Sequence, residues 1–130
     1  MSLVRSPMTG YLVLLLSFSA YSLAYATFGS SIAVLAKAFS LNPIEIGALA
    51  SAVSVGFLAT FPGGILSDRF GGRKILSMGL AVCSVGLAAI GASNSFMTSL
   101  VSAAPLGIGS GFYEAAINPW FWSYFPEDAR

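Results

Sequence analysis

Four long apolar segments follow one another along the chain, and only two of the eleven charged residues, Glu45 and Glu114, lie within them. The segments run from about Tyr11 to Ala36, Ile44 to Leu66, Ile75 to Ala92 and Phe96 to Phe121. An α-helix needs roughly 20 apolar residues to cross the hydrocarbon core of a bilayer. Long runs without alternating polar positions favour helices over the strands of a barrel. The pattern therefore predicts an all-α, polytopic membrane protein: four transmembrane helices bundled in a lipid bilayer.

Short connections join these predicted helices. Ser40–Pro43 links the first two, with Asn42 expected as the N-cap and Pro43 at the first helical position. Residues 92–95 link the last two. Connections this short make neighbouring helices antiparallel.

Composition supports a lipid environment. Of 130 residues, 56% are hydrophobic and 8% are charged, whereas soluble domains carry about 25% charged residues. A net charge of +1 and the absence of His argue against a nucleic-acid partner and a His-based metal site. We expect no metal and no cofactor. The one cysteine, Cys83, is expected to be a small packing residue.

The basic residues predict the orientation, because short cytoplasmic loops are enriched in Lys and Arg. With residues 1–10 cytoplasmic, only Lys37 falls outside. The others share the cytoplasmic side: Arg5, Arg69, Arg73, Lys74 and Arg130. We therefore predict cytoplasmic termini, with 127–130 as the cytoplasmic end, in the plasma or inner membrane. An alternative is a signal peptide cleaved near Ala26, but the apolar run continues to Ala36.

A cluster of four charges lies between the second and third segments, around Asp68. Gly64 and Gly71 are expected to permit close backbone approach and a sharp turn. Asp68 falls near a helix C-terminus, where the dipole disfavours an acid. A nearby cation (Arg69, Arg73 or Lys74) or another helix N-terminus is therefore expected to compensate it.

This loop resembles the signature loop of the major facilitator superfamily, Gly-x-Leu-x-Asp-Arg-x-Gly-x-Arg-x-x-Leu. Seven positions match: Gly64, Leu66, Asp68, Arg69, Gly71, Arg73 and Leu76. Gly72 departs from it, since many members carry a cation there. The resemblance implies a secondary transporter in which Asp68 is part of a cytoplasmic gate, paired with the loop arginine and with a helix of the other half.

The resemblance covers the whole chain but reaches only part of that fold, which is built from two six-helix halves of inverted three-helix repeats. We therefore expect an N-terminal fragment, a truncated reading frame or one piece of an assembly. Its partners would be the missing C-terminal helices or another copy of the chain.

The fourth segment carries an acid, Glu114, with Asn118 one helical turn on. An ionisable residue within a span is a functional-site hypothesis by default. Glu114 and Asn118 are therefore the candidate proton or solute site; the alternative is a structural hydrogen bond from Glu114 to a neighbouring Ser or Tyr. The pattern Gly-x-Gly-x-x-Glu-x-x-x-Asn-Pro resembles the fucose/proton and glucose/galactose permease branch, where the Glu and Asn are implied to face the cavity.

Rows of small residues predict close helix packing. One row lies on the fourth segment (Gly107, Gly111, Ala115) and another on the second (Ala48, Ala52, Gly56). Tyr21, Tyr25 and the Ser-rich stretch 17–31 give the first segment a polar face. That face lines a solute path or bonds to other helices, and the sequence does not separate these two roles.

The leading hypothesis is a transporter, not an enzyme, that moves a small polar solute such as a sugar by alternating access with proton symport through Glu114. Two alternatives stay open. One is a stand-alone four-helix exporter acting as a homodimer. The other is a non-transporting membrane scaffold.

Overall fold

The computed structural model describes residues 7–122 and is helical throughout that range. Its elements are α1 (Pro7–Ala38), α2 (Pro43–Gly56), a 3₁₀ turn (Phe57–Ala59), α3 (Thr60–Phe70), α4 (Gly72–Gly91) and α5 (Phe96–Trp122). With α2 and α3 taken as one segment, four helices are long and apolar enough to cross a membrane. The prediction of an all-α four-helix membrane bundle is confirmed. Residues 1–6 of the predicted N-terminal tail, and all of 127–130, lie outside the described residues.

The second spanning segment is broken by the 3₁₀ turn at Phe57–Ala59. Pro62 has no N–H, so an uninterrupted helix would lack the hydrogen bond to the Leu58 carbonyl. The helix instead restarts at Thr60, which places Pro62 in the first turn, where a missing N–H costs little. The Thr60 hydroxyl donates to the Phe57 carbonyl oxygen at 2.7 Å. The apolar run from Ile44 to Leu66 predicts one continuous helix, so this break differs from the prediction.

The start of α2 has the expected cap. The Asn42 side chain accepts hydrogen bonds from the backbone N–H groups of Ile44 at 2.9 Å and Glu45 at 3.0 Å. The Glu45 carboxylate accepts in return from the Asn42 N–H at 2.8 Å. This reciprocal capping box, with Pro43 at the first helical position, satisfies N–H groups that the helix leaves unpaired. The predicted cap is confirmed, and it fixes where the second spanning segment begins.

Helix α5 is the centre of the bundle and contacts every other helix. A Cβ added to Gly111 would lie 2.8 Å from the Phe57 carbonyl oxygen, and one added to Gly107 would overlap the carbonyl oxygen of Val53. The Cβ of Ala115 lies 3.1 Å from the position of a Cβ on Gly63. The predicted close packing of this row is confirmed: α5 meets the second spanning segment backbone to backbone.

Helix α1 is attached differently, along a narrow line. Its buried large residues recur every seven positions and are Leu14, Tyr21, Phe28 and Leu35. Most of its other large apolar side chains are exposed in this four-helix bundle, Leu16, Leu23 and Val34 among them. A seven-residue spacing gives a seam one side chain wide. Helix α1 therefore rests on the bundle mainly through large side chains, with Gly10 also buried near its start.

Candidate functional site

The charged loop is reduced in the structure to a single residue between two helices. Helix α3 ends at Phe70, α4 begins at Gly72, and Gly71 between them has φ of 92°. The Gly71 N–H donates to the Ser67 carbonyl oxygen at 2.9 Å. Only glycine adopts such a positive φ at little cost, so Gly71 makes the sharp turn that the motif predicts.

Gly64 does not have the predicted role of close approach. A Cβ on Gly64 would meet nothing within 4 Å, whereas one on Gly63 would lie 2.9 Å from the Phe112 ring. Gly63 is the buried position of this pair, because α3 presents residue 63 and not 64 to α5. The two leucines of the motif fix the loop from either side: Leu76 is buried and Leu66 packs against the core.

Asp68 is exposed, and no cation lies within ion-pair distance of it in the part of the chain that the structure describes. The expectation that a loop cation pairs with Asp68 is therefore wrong for these residues. Arg69 follows Asp68 on the helix and so projects about 100° away, since a turn holds about 3.6 residues. Its guanidinium lies instead over the Phe70 ring, 5.6 Å from the centroid.

An open cleft of about 460 Å³ separates the loop from the end of α5. Asp68, Arg73 and Lys74 line it from the loop, and Pro119 and Trp120 line it from α5. The expected second partner for Asp68, a helix from another part of a transporter, would have to reach this end of the bundle. That pairing stays a prediction.

Glu114 and Asn118, the candidate site residues, lie together on α5 as predicted. The Asn118 side chain donates to the Glu114 carbonyl oxygen at 3.3 Å. Glu114 is half-buried and Asn118 is exposed. Within residues 7–122, no Ser or Tyr donates to the Glu114 carboxylate, contrary to the structural alternative.

An aromatic pair beside Glu114 connects α5 to α1. Tyr21 stacks on Tyr113, with ring centroids 4.4 Å apart and planes inclined by 21°. The Tyr113 hydroxyl donates to the Ser17 hydroxyl at 3.3 Å. Sequence reasoning missed Tyr113; its position directly before an intramembrane acid was the one signal that pointed to it.

The polar face of α1 is expected either to bond to other helices or to line a solute path. Ser17 and Tyr21 contact α5. Four further hydroxyls donate to carbonyl oxygens of α1 itself, those of Ser19, Thr27, Ser30 and Ser31. Hydroxyls satisfied in this way cost little in an apolar environment and can still accept a hydrogen bond from a solute.

A buried polar contact joins α4 to α5. Cys83 lies with its sulfur 3.6 Å from both the Ser110 hydroxyl and the Leu106 carbonyl oxygen. The Ser110 hydroxyl in turn donates to Leu106 at 2.8 Å. Cys83 is thus a packing residue between helices, as predicted. Among the described residues, no cluster of His, Cys, Asp or Glu could hold a metal ion.

Comparison with known proteins gives one family. The model of the Major Facilitator Superfamily matches residues 14–130. No solved structure gives a significant match.

Three curated relatives are transport proteins. The chain is 29% identical to a hexuronate transporter of Bacillus subtilis over 70% of the chain and 22% of the relative. It is 30% identical to the sodium-dependent phosphate transport protein 1, chloroplastic, of Arabidopsis thaliana over 92% of the chain and 25% of the relative. It is 33% identical to the probable anion transporter 4, chloroplastic, of Oryza sativa over 77% of the chain and 18% of the relative.

The chain therefore spans at most about a quarter of the length of these relatives. Their names are those of anion carriers. None of the three supports the resemblance of α5 to the fucose and glucose/galactose permeases, which stays a prediction.

Proposed function

The chain belongs to the major facilitator superfamily, a family of transporters and not of enzymes. We propose that its four helices form part of an alternating-access secondary transporter. Its solute is a small anion of the sugar-acid class. A sugar acid is a sugar, as expected from the sequence, and it is also an anion, like the solutes in the names of the relatives. A neutral sugar is the alternative solute. The cytoplasmic N-terminus and the plasma or inner membrane remain predictions.

One observation carries the proposal: Glu114 is half-buried on α5, and no residue in the described part of the chain makes a hydrogen bond to its carboxylate. Asn118 lies one turn further along α5, and Tyr113, which stacks on Tyr21, directly precedes Glu114 in the chain. Asn118 has an amide that both donates and accepts. Together these groups suit the hydroxyls of a sugar ring.

The charge of Glu114 gives a reason for coupling the transport of an anion to that of a proton. An ionised carboxylate repels an anionic solute, and in a low-dielectric cavity that repulsion is strong. Protonation of Glu114 removes the repulsion and adds a hydrogen-bond donor. The anion then binds after the proton, and release of the proton on the other side expels the anion. Symport follows from this order without a separate coupling site.

Uptake into proteoliposomes containing the natural full-length protein tests the solute and the coupling ion together. Labelled glucuronate, phosphate and glucose are compared under an inward proton gradient, an inward sodium gradient and no gradient. We expect glucuronate to accumulate under the proton gradient alone. Sodium-driven phosphate uptake would refute both the sugar acid and the proton, and uptake of glucose alone would establish the neutral alternative.

The same preparation distinguishes the two other classes of protein. A scaffold gives no gradient-driven uptake of any of the three solutes. A homodimeric exporter gives efflux that depends on a second copy of Glu114, so mixing wild-type with Glu114→Gln subunits lowers activity more than in proportion to the inactive fraction. A transporter built on one copy loses activity in proportion.

A further inference from the structure

Helix α5 is fixed to α2, α3 and α4 by contacts that leave no room for sliding. Gly107 lies against the backbone of Val53, and Gly86 of α4 has the Leu106 backbone N 2.5 Å from the position that a Cβ would take. Backbone atoms cannot adjust by changing rotamer, so any displacement of α5 along these neighbours opens voids or produces clashes. Helices α2 to α5 therefore form one rigid support.

Helix α1 touches this support mainly through side chains, the large seam residues together with Ser17. Its seam residues are separated by seven positions, and a Cβ on Gly29 would meet nothing within 4 Å. Contacts between ends of side chains can be rearranged by small changes in χ angles, unlike backbone contacts. Helix α1 is thus the one described helix that can change its tilt at low cost.

Two cavities lie under α1, one towards each end. The Tyr11 cavity, about 330 Å³, is bounded by Tyr11, Leu15 and Phe18 of α1 and by Ile117, Asn118 and Phe121 of α5. The Val34 cavity, about 450 Å³, is bounded by Ser31, Val34 and Ala38 of α1 and by Ile90, Gly91 and Asn94 at the end of α4. Space therefore exists at both ends for α1 to approach the support.

Between the two cavities, α1 is held by the stack of Tyr21 on Tyr113. Tyr113 is fully buried, and its hydroxyl also holds Ser17, one turn before Tyr21. Stacked rings keep their contact through small changes of inclination, because the preferred offset arrangement is broad. A flat aromatic contact near the middle of α1, with a cavity towards each end beside the seam residues Leu14 and Leu35, has the geometry of a pivot.

We propose that α1 tilts as a lever about the Tyr21–Tyr113 stack, so that closing the Tyr11 cavity widens the Val34 cavity and the reverse. At 1.5 Å per residue, Leu15 lies ~9 Å and Ala38 ~25 Å from Tyr21 along the helix. Widening of about 4 Å at Ala38 then gives closure of about 1.5 Å at Leu15. The proposal concerns motion alone, and it holds whichever solute is carried and whatever Glu114 does.

Distances between spin labels test the lever in the natural full-length protein with Cys83 replaced by Ala. One label pair spans the Tyr11 cavity (Leu15→Cys with Asn118→Cys). The other spans the Val34 cavity (Val34→Cys with Asn94→Cys). A wedge, Ala38→Trp, is then added within the Val34 cavity. Its matched control is Ala33→Trp, which is exposed on the same helix and lines neither cavity.

The lever predicts that Ala38→Trp lengthens the distance between the labels across the Val34 cavity (the Val34 pair) by several ångströms. It shortens the distance between the labels across the Tyr11 cavity (the Tyr11 pair) by about 1–2 Å. Ala33→Trp should change neither distance. Adding Tyr113→Ala should abolish the shortening, and Tyr113→Phe, which keeps the ring, should retain it. Lengthening of both pairs would show that α1 leaves the bundle as a whole. Lengthening of the Val34 pair alone would show that α1 bends. Either result overturns the proposal.

Discussion

Gly79 and Gly109 face each other across the α4–α5 interface, and each has its carbonyl oxygen where the other's Cβ would lie. The Gly109 oxygen is 2.8 Å from a Cβ built on Gly79, and the Gly79 oxygen is 2.7 Å from a Cβ built on Gly109. Contact this close brings Cα–H groups against carbonyl oxygens, and small residues at helix interfaces make it possible in a membrane. This reciprocal pair anchors α5 to α4.

Gly109→Ala should therefore destabilise the bundle. The added methyl would lie 2.5 Å from the Cys83 backbone N as well as against Gly79, and neither can move away without displacing α4. Overpacking of this kind costs about 1–3 kcal/mol. Thermal unfolding in detergent measures it as a lower melting temperature. Gly29→Ala is the control: its methyl meets open space, and removing a helical glycine gains about 0.5–1 kcal/mol. Equal melting temperatures for the two variants would contradict the packing described.

Asn42→Ala should lower stability by about 0.5–2 kcal/mol, because the side chain that accepts from two N–H groups is lost. The same melting measurement detects this loss. Asn94→Ala removes the other loop asparagine of the described chain, which lies at the edge of the Val34 cavity, whereas Ser95 accepts from the Thr98 N–H at the start of α5. This control variant should have the melting temperature of the wild type. A similar decrease of the melting temperature in both variants would argue against a specific cap at α2.

Gly71 and Gly72 are adjacent in the chain, but only Gly71 has a positive φ. Gly71→Ala forces a Cβ into φ of 92°, at a cost of about 1–2 kcal/mol. Gly72 lies in the first turn of α4, and a Cβ there meets its nearest atom, the Ser67 hydroxyl, at 3.4 Å. Gly72→Ala should be tolerated, and so should Gly72→Arg, which restores the family's loop cation. Expression and melting of the three variants test this order, and a Gly72→Ala variant as unstable as Gly71→Ala would contradict it.

Features set by local chemistry could be predicted from the sequence. The cap at Asn42, the turn at Gly71 and the placement of Asn118 on the face of Glu114 depend on residues within one helical turn of each other. The spans follow from apolar run length, since the bilayer sets one thickness. The small row of α5 was found because its four-residue period is visible in the chain.

Features set by distant contacts could not be predicted in the same way. Which of two adjacent glycines, Gly63 or Gly64, faces α5 depends on the rotation of α3 after the 3₁₀ break, and one residue changes that rotation by about 100°. The stack of Tyr21 on Tyr113 joins positions far apart in the chain. Within residues 7–122, Arg69 does not pair with Asp68 because its guanidinium lies over the Phe70 ring.

The role of Glu114 as the coupling residue is tested most directly by Glu114→Gln in proteoliposomes of the natural full-length protein, with the anion that the uptake comparison identifies. Exchange of labelled for unlabelled anion is measured beside accumulation driven by a proton gradient. Glu45→Gln is the matched control, because glutamine retains the capping box. We predict that Glu114→Gln keeps exchange and loses accumulation, while Glu45→Gln keeps both. Proton-driven accumulation by Glu114→Gln at the wild-type level would contradict the account.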